Sequence, residues 1–372
     1  MSNNLVGSWL PTKLQALHHG SGSVEKHLIS SLPSEKSKAF IVTGSSLATK
    51  TDLIKKVEAL LTDHHVSTFA KIRQHAPVAE IDEATEIVLK DSSVDTVISI
   101  GGGSPIDAAK AISHRVHEKT GKFLTHITIP TTISAAECTK NAGYTGDDGL
   151  KISVSAPELY PQVILYDSSF AIKTPPHLWT STGMRAMDHA VETMYHPDAS
   201  ELDRMIVLQA ASKLFTYLPI YHKNPKDEDA ITQLQLAAFA SLGFIGQGMK
   251  SPLGLSHTLG YALGSPYGIP HGITSCITLG HVAKLKSHDP AAAEQLARMA
   301  PFVGAKVTGT AQIDASAVGD RVLELVEELG LTTRLSDKGV GDDQVPIIVK
   351  RATKQESGPV FDKVAEIVKA MF

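Results

Sequence analysis

The stretch DTVISIGGGSPIDAAK, residues 95–110, decides the fold of the first half of the chain. Its apolar, β-branched beginning predicts a buried strand, and three consecutive glycines follow. Because glycine has no Cβ, the backbone there can turn tightly and a ligand can approach it closely. Ser104 is a natural N-cap and Pro105 then falls at N1, so we expect a helix to begin at this point.

The same turn predicts a phosphate-binding site. At the start of a helix, free N–H groups and the positive end of the helix dipole face an approaching anion. The alternative is an ordinary strand-to-helix turn without a ligand. The glycines do not follow the G-x-G-x-x-G spacing of Rossmann dinucleotide domains, so the arrangement is a different one.

Strands and helices alternate through the first half of the chain. The pattern predicts strands at 38–44, 67–72, 95–103 and 125–132 and helices at 51–64, 79–91 and 104–116. Thr51 stands where the N-cap of the first helix belongs. Alternation of apolar strands with helices predicts an open parallel α/β sheet with helices on both faces. We expect two more strands within residues 152–167 to complete it.

The character of the sequence changes near residues 173–176, after which every periodic segment predicts a helix. These segments are residues 176–196, 200–223, 228–248, 292–304, 317–330 and 361–372. The prediction is therefore an α/β doubly wound domain over residues 1–174 and an all-α domain over residues 175–372.

Bulk composition excludes several classes of protein. The chain has 372 residues, of which 42% are hydrophobic and 20% charged, and a formal net charge of −4. Without a basic run we expect no nucleic-acid or membrane partner. The first twenty residues do not resemble a secretory signal, and two cysteines are too few for a disulfide framework. A cytoplasmic location is expected.

Four motifs together resemble the iron-containing (group III) alcohol dehydrogenase superfamily. They are GGGSPIDAAK at 101–110, PTT at 130–132, GMRAMDHAVE at 183–192 and HTLGYALGSPYGIPHGITSCITLGHV at 257–282. Within it, the segments at 133–145 and 147–167 resemble the maleylacetate reductase branch and its fungal relatives. The resemblance implies a doubly wound nucleotide domain, a helical domain, and an active site in the cleft between them. It also implies a homodimer.

The resemblance implies that NADPH or NADH binds to the first domain. The residues expected to bind it are Gly44, Ser46, Gly101, Gly102, Gly103, Ser104, Asp107, Lys110, Thr131 and Thr132. NAD-preferring members often carry an Asp after the first strand to bind the ribose, and Gly44 occupies that position. Without that carboxylate a 2′-phosphate is not repelled, so we expect NADPH to be accepted.

The metal site of the superfamily is altered in this sequence. Its metal is held by an Asp, a His four residues later and two further His, and the His positions here are His189, His257 and His271. Arg185 occupies the Asp position, so a permanent cation replaces the anionic ligand. We therefore expect no catalytic iron, although a site of three His remains an alternative. Asp188 points about 100° away around the helix and is expected to pair with Arg185 or join a solvent-facing network.

The altered site suggests its own chemistry. Arg185 is a candidate for stabilising an alkoxide or holding a substrate carboxylate. The family often has a proton-transferring His four positions after His257, where this chain has Tyr261. The residues predicted to be catalytic are Arg185, His189, His257, Tyr261 and His271.

Three hypotheses follow. The first is an NAD(P)H-dependent reductase of a small carbonyl or a carboxylate-bearing enone such as maleylacetate. The second is a dehydratase, isomerase or cyclase that uses Arg, His and Tyr for acid–base work on the same scaffold. The third is a catalytically silent protein, which the intact glycine turn disfavours.

Overall fold

The computed structural model describes residues 9–245, 248–249 and 251–372, which divide into two compact units. The first unit comprises Pro11–Pro175 and Pro225–Leu236. The second includes Pro176–Asn224 and the described residues beyond Leu236. The units therefore change over between Pro175 and Pro176, and the first also takes in a later segment of the chain.

The first unit is built on a six-stranded parallel sheet, which confirms the predicted open α/β fold. Its strands are β1 (Ala16–His19), β2 (Ala39–Thr43), β3 (His65–Phe69), β4 (Thr96–Gly101), β5 (Thr125–Pro130) and β8 (Val163–Tyr166). They lie in the order β1-β8-β5-β4-β2-β3. Every pair is parallel, as expected when helices connect apolar strands. The sequence did not predict β1, a short edge strand.

The centre of the sheet is apolar on both faces. In β4, Ile98 pairs in register with Ile41 of β2 and Ile127 of β5, and all three side chains are fully buried. Its neighbour Val97 belongs to the apolar cluster on the opposite face. Burial of both faces explains why these strands read as nearly continuous apolar runs.

Six helices lie entirely within the first unit. They are α1 (Ser23–His27), α2 (Ser45–Lys50), α3 (Leu53–Leu61), α4 (Val78–Leu89), α5 (Gly103–Thr120) and α6 (Ser168–Ala171). Helix α3 begins later than predicted, with Asp52 rather than Thr51 at its N-cap. The hydroxyl of Thr51 still accepts a hydrogen bond from the N–H of Leu53, at 3.4 Å.

A separate hairpin corrects one expectation about the sheet. The chain forms β6 (Asn141–Thr145) and β7 (Lys151–Ser155), which pair antiparallel with each other. Of the two strands expected within residues 152–167, only β8 joins the main sheet. The turn explains the difference, because Gly149 adopts a positive φ of 76° and the N–H of Gly146 donates to the carbonyl of Leu150.

The regular structure of the second unit consists of helices alone in its described residues, in agreement with the prediction. Its helices include α7 (Pro176–Tyr195), α8 (Glu201–Lys223), α10 (Leu255–Tyr267), α11 (His271–Lys286), α12 (Pro290–Ala297), α13 (Ala311–Glu328), α14 (Val345–Thr353) and α15 (Pro359–Lys369). Helix α9 (Glu228–Leu242) begins in the segment assigned to the first unit. Among the described residues, no helix is both long and apolar enough to cross a membrane.

Candidate functional site

The glycine turn lies between β4 and α5. Gly101 has a φ of 139°, which side chains rarely adopt, and Gly102 is the N-cap of α5. The prediction of Ser104 as N-cap and Pro105 as N1 is wrong, because the helix already begins at Gly103. The hydroxyl of Ser104 instead accepts a hydrogen bond from the N–H of His75, at 3.0 Å.

The turn has the shape of a phosphate cradle. A Cβ on Gly102 would lie 3.0 Å from Cγ2 of Thr132, so a larger residue there would have to displace the Thr132 side chain. The N–H of Thr131 donates to the carbonyl of Gly101, which fixes the end of β5 beside the turn. With the N-terminus of an 18-residue helix behind it, the cradle suits a pyrophosphate.

Asp107 and Lys110 fasten the hairpin to α5. The Asp107 carboxylate accepts a hydrogen bond from the N–H of Gly143 at 3.2 Å. The fully buried Nζ of Lys110 donates to the carbonyls of Ala136 (2.6 Å) and Asn141 (2.9 Å) and to the hydroxyl of Thr139 (3.2 Å). The three hydrogens of that ammonium group therefore already have protein acceptors.

Gly44 lies between the end of β2 and the start of α2, and Ser46 lies in the first turn of α2. Gly44 is the N-cap of that helix, and a Cβ there would lie 3.1 Å from the carbonyl oxygen of Ile72. Ser46 is exposed. Residues 44–46 carry no carboxylate.

The second unit gathers the residues predicted to be catalytic from three helices. Helix α7 carries Arg185 and His189, α10 carries His257 and Tyr261, and α11 begins with His271. The rings of His189 and His257 have centroids 5.0 Å apart, and those of Tyr261 and His271 are 6.2 Å apart. The Arg185 guanidinium carbon lies 6.0 Å from the centroid of the Tyr261 ring. The five side chains therefore form one cluster.

Arg185 is buried and held by polar neighbours. Its side chain is 10% exposed, and its Nη1 lies 3.4 Å from the carboxylate of Asp188 and 3.4 Å from the hydroxyl of Ser275. The same oxygen of Asp188 accepts hydrogen bonds from Ser275 (2.6 Å) and Ser256 (3.0 Å). The expected pairing of Asp188 with Arg185 is present, but Asp188 is fully buried rather than solvent-facing.

Glu192 also belongs to the cluster, although the sequence analysis did not single it out. It lies one turn after Asp188 on the same face of α7 and is fully buried. One carboxylate oxygen of Glu192 lies 2.7 Å from Nδ1 of His257, and the nearer oxygen of Asp188 lies 3.4 Å from the same atom. The i, i+4 spacing of two acids on a buried helix was visible in the sequence and would have indicated them.

The electrostatics of the cluster follow from these contacts. Burial and the Arg185 cation lower the pKa of His257, but Asp188 and Glu192 outweigh them and raise it to about 9. Burial, His257 and Arg185 all lower the pKa of His189 well below its usual range. Burial raises the pKa of Asp188, whereas His257, Arg185 and Ser275 oppose it and leave it lowered.

Two donor sets in the cluster bear on metal binding. The first is His189, His257 and His271, with Arg185 one turn before His189. The second is Asp188, Glu192 and His257, whose ligand atoms lie within 4.8 Å of one another. In the second set the carboxylates already contact Arg185 and the His257 ring.

Comparison with known proteins agrees with this organisation. Residues 15–168 match the family model described as iron-containing alcohol dehydrogenase, and residues 179–366 match its C-terminal model. Alcohol dehydrogenase 4 of Schizosaccharomyces pombe is 30% identical over 89% of this chain and 81% of its own length. Maleylacetate reductase 2 of Cupriavidus pinatubonensis is 29% identical over 83% of this chain and 81% of its own length.

Solved structures share the fold. The crystal structure of maleylacetate reductase from Rhizobium sp. strain MTP-10005 has a TM-score of 0.81 and 23% identity over 99% of each chain. That of a 1,3-propanediol oxidoreductase has a TM-score of 0.85 and 21% identity. The chain thus belongs to the iron-containing alcohol dehydrogenase family, near its maleylacetate reductase branch, and is an NAD(P)-dependent oxidoreductase.

Proposed function

We propose that the protein is an NAD(P)H-dependent reductase of a small carbonyl or a carboxylate-bearing enone, maleylacetate reductase-like, that works without catalytic iron. The observation that carries the proposal is the buried Arg185 guanidinium, held by Asp188 and Ser275 at the position of the family's metal-binding Asp. A fixed cation at that point can stabilise charge on a substrate oxygen.

The residues present do not fit a divalent metal. Three imidazoles gain much of their affinity for iron or zinc from an anionic fourth ligand, and here that ligand is a permanent cation. At close range the repulsion amounts to several kcal/mol even with an effective dielectric constant of about 20. In the alternative set of Asp188, Glu192 and His257, both negative charges already have partners within the protein. Arg185 pairs with the Asp188 carboxylate, and the His257 ring pairs with the Glu192 carboxylate.

The bound nucleotide supplies hydride, and the residues of the chain supply the rest of the chemistry. Hydride addition to a carbonyl carbon leaves negative charge on the oxygen, which Arg185 and a protonated His257 are suited to stabilise. His189, with its lowered pKa, is a neutral hydrogen-bonding partner for the same region. Tyr261, 40% exposed, and the half-buried His271 would contact the part of the substrate nearer solvent.

For the cofactor we propose the cradle from Gly101 to Ser104, with Thr131 and Thr132 beside it, as the pyrophosphate site. Gly44 and Ser46 would face the adenosine ribose, where the lack of a carboxylate favours acceptance of NADPH. Asp107 and Lys110 would then act indirectly, by holding the hairpin in place. A homodimer and a cytoplasmic location complete the proposal.

One experiment tests the proposal directly. Purified protein is titrated with NADPH and NADH by calorimetry, and its metal content is measured on the same sample. Stoichiometric binding of nucleotide at a metal content below one tenth, followed by oxidation of NADPH at 340 nm with keto acids or enones, is the expected result. Stoichiometric metal would overturn the iron-free reading, and turnover of a substrate without a change at 340 nm would favour an isomerase or lyase.

A further inference from the structure

One cavity in the first unit is lined mainly by cations. Its volume is about 360 Å³, which lies in the range of small-molecule sites. Three lysines line it: Lys50 at the end of α2, Lys55 in the first turn of α3, and Lys173 after α6. The other lining residues are Thr49, Thr51 and Asp52. The wall of the cavity therefore carries more positive than negative charge.

The one negative charge on this wall already has a partner outside the cavity. The carboxylate of Asp52 lies 2.9 Å from Nζ of Lys56, which does not line the cavity. The hydrogen bond from Lys56 and, more weakly, the charge of Lys173 lower the pKa of Asp52. In the part of the chain that the structure describes, no carboxylate oxygen lies within ion-pair distance of the three lining lysines. Like charges around one cavity attract an anion to it.

The threonines beside these lysines already use their hydrogens. The hydroxyl of Thr49 donates to the carbonyl of Ser45 at 2.8 Å, and the hydroxyl of Thr51 donates to the carbonyl of Leu47 at 2.6 Å. Both bonds stabilise the turn of backbone that carries Lys50. Because a hydroxyl has one hydrogen to donate, the side-chain donors left for an anion in this cavity are the ammonium groups.

Helix α2 connects the cavity to the proposed ribose site. Ser46 and Lys50 are four residues apart on this helix, so they lie on the same face with Cβ atoms roughly 5–6 Å apart. Both residues are exposed. Side chains on a helix are tilted towards its N-terminus, so the lysine can extend back over Ser46. Its ammonium group can then reach a phosphate on the 2′-oxygen of a ribose beside Gly44 and Ser46.

The segment that carries Lys173 also leads to the proposed nucleotide site. The next residue, Thr174, is buried, and its hydroxyl donates to the carbonyl of Thr131 at 2.6 Å. Thr131 follows β5 and lies beside the glycine turn. The cavity is therefore bounded by two segments of the first unit, each of which continues into residues proposed to bind the nucleotide.

We propose that Lys50, with Lys55 and Lys173 beside it, binds the 2′-phosphate of NADPH and makes the protein prefer NADPH to NADH. This inference rests on the proposed reductase function and adds a specificity-determining site to it. The lack of a carboxylate at Gly44 only removes repulsion, whereas the lysines supply attraction. NADH has a hydroxyl in place of the 2′-phosphate, so it gains little from these charges.

Calorimetric titration with NADPH and NADH tests the lysine site. We expect the wild type to bind NADPH about tenfold more tightly than NADH. Lys50→Gln should weaken NADPH binding about tenfold, the size of one hydrogen bond to a charged group, and change the Kd for NADH by less than about twofold. Asp52→Asn removes the negative charge from the cavity wall, so it should tighten NADPH binding about twofold. Lys122→Gln, exposed beyond the C-terminal end of α5, is the control and should bind both nucleotides as the wild type does.

The outcomes separate this inference from the proposed function. If neither nucleotide binds to the wild type, the proposed reductase function fails, and the inference fails with it. Equal Kd values for the two nucleotides, or equal weakening of both in Lys50→Gln, would overturn the lysine site alone.

Smaller probes examine the same site without nicotinamide. Adenosine 2′,5′-bisphosphate should bind to the wild type more tightly than 5′-AMP and should lose that advantage in Lys50→Gln. Inorganic phosphate should compete with NADPH. Phosphate that binds in a Lys50-dependent manner without displacing NADPH would show that the cavity is a separate anion site, and would overturn the proposal.

Discussion

The guanidinium of Arg185 lies 3.4 Å from the carboxylate of Asp188, three residues further along the same buried helix. Ser275 of α11 contacts both groups and links them to the neighbouring helix. The pair balances a charge that would otherwise be costly to bury, because an unpaired ion in the interior costs several kcal/mol. Arg185 is thus held in place by a partner of its own, independently of any metal.

Truncation of Arg185 tests its role towards the substrate. We expect Arg185→Ala to raise KM steeply, by about 100-fold, for an acidic substrate, because the cation that would also attract a substrate carboxylate is removed. Arg185→Lys should recover only part of this, since an ammonium group lacks the planar fork of guanidinium. Steady-state kinetics with a keto acid and with a neutral aldehyde of the same size provide the measurement. An unchanged KM for the acid would refute the anchoring role.

Restoration of the family carboxylate tests the reason for the missing metal. We expect Arg185→Asp to bind one divalent cation together with His189, His257 and His271, because the repulsive charge becomes an anionic ligand. Elemental analysis after dialysis against zinc or ferrous iron measures this, and Arg185→Asn serves as the uncharged control. The wild type should keep its activity in a chelator. Loss of wild-type activity in the chelator, restored by metal, would contradict the proposal.

The pH dependence of reduction follows from His257. Its pKa is raised from 6.5 to about 9, so the ring is cationic at neutral pH and loses its proton as the pH rises through about 9. We expect kcat/KM for reduction to be flat below that pH and to fall about tenfold per unit above it. The protonated His257 ring also stabilises the folded state. This stabilisation is fully present below pH 6.5 and is lost as the pH rises through about 9.

A matched variant checks the cause of this pH profile. Asp188 raises the pKa of His257, so Asp188→Asn should move the fall in kcat/KM to lower pH. Initial rates between pH 6 and 10 on both proteins, with melting temperatures at each pH, give the comparison. The same midpoint in both proteins would show that another group controls the profile.

The strands of the fold differ in how well the sequence predicts them. Strands β2, β4 and β5 were predictable because burial of both faces requires continuous apolar runs. Strand β1 was missed, since ALHH at the sheet edge is short and half-exposed and carries two histidines. Strand β6 contains Asn and Gly and depends on contacts to α5 through Asp107 and Lys110, which no local pattern reveals.

Some residues of the candidate site could likewise be predicted from the sequence, and one could not. Arg185, His189, His257, Tyr261 and His271 were found through the motifs that carry them, and the structure places them in one cluster. Glu192 was overlooked because its main partner, His257, lies 65 residues further along the chain. Tertiary packing alone brings these two together, whereas the i, i+4 spacing of Asp188 and Glu192 was available from the start.

Lys110 provides a test of whether it binds the nucleotide or only holds the fold. Its Nζ is fully buried with three protein acceptors and Asp107 at 3.6 Å. We expect Lys110→Met to lower the free energy of unfolding by about 3 kcal/mol, because buried partners are left unpaired. The Kd for NADPH should change less than threefold in the folded fraction. Lys119→Met, exposed on the same helix, is the control, and a weaker Kd without loss of stability would assign Lys110 to the phosphates.

The last prediction concerns the close packing that sets Ser275 against Asp188. Gly272 of α11 lies so near α7 that a Cβ there would be 2.5 Å from the carbonyl oxygen of Ser181. Gly272→Ala must therefore push the two helices apart, and overpacking of this kind costs about 1–3 kcal/mol. Ser275 lies one turn after Gly272, so its 2.6 Å hydrogen bond to Asp188 should lengthen.

Two variants separate the packing from the hydrogen bond. Gly272→Ala should lose both stability in urea and reductase activity, since the Asp188 and Arg185 pair loses its support. Ser275→Ala removes the hydrogen bond without inserting atoms, so it should lower activity with a smaller loss of stability, about 1 kcal/mol. If Gly272→Ala unfolds at the same urea concentration as the wild type, then α7 and α11 are not in close contact and the support for Arg185 comes from elsewhere.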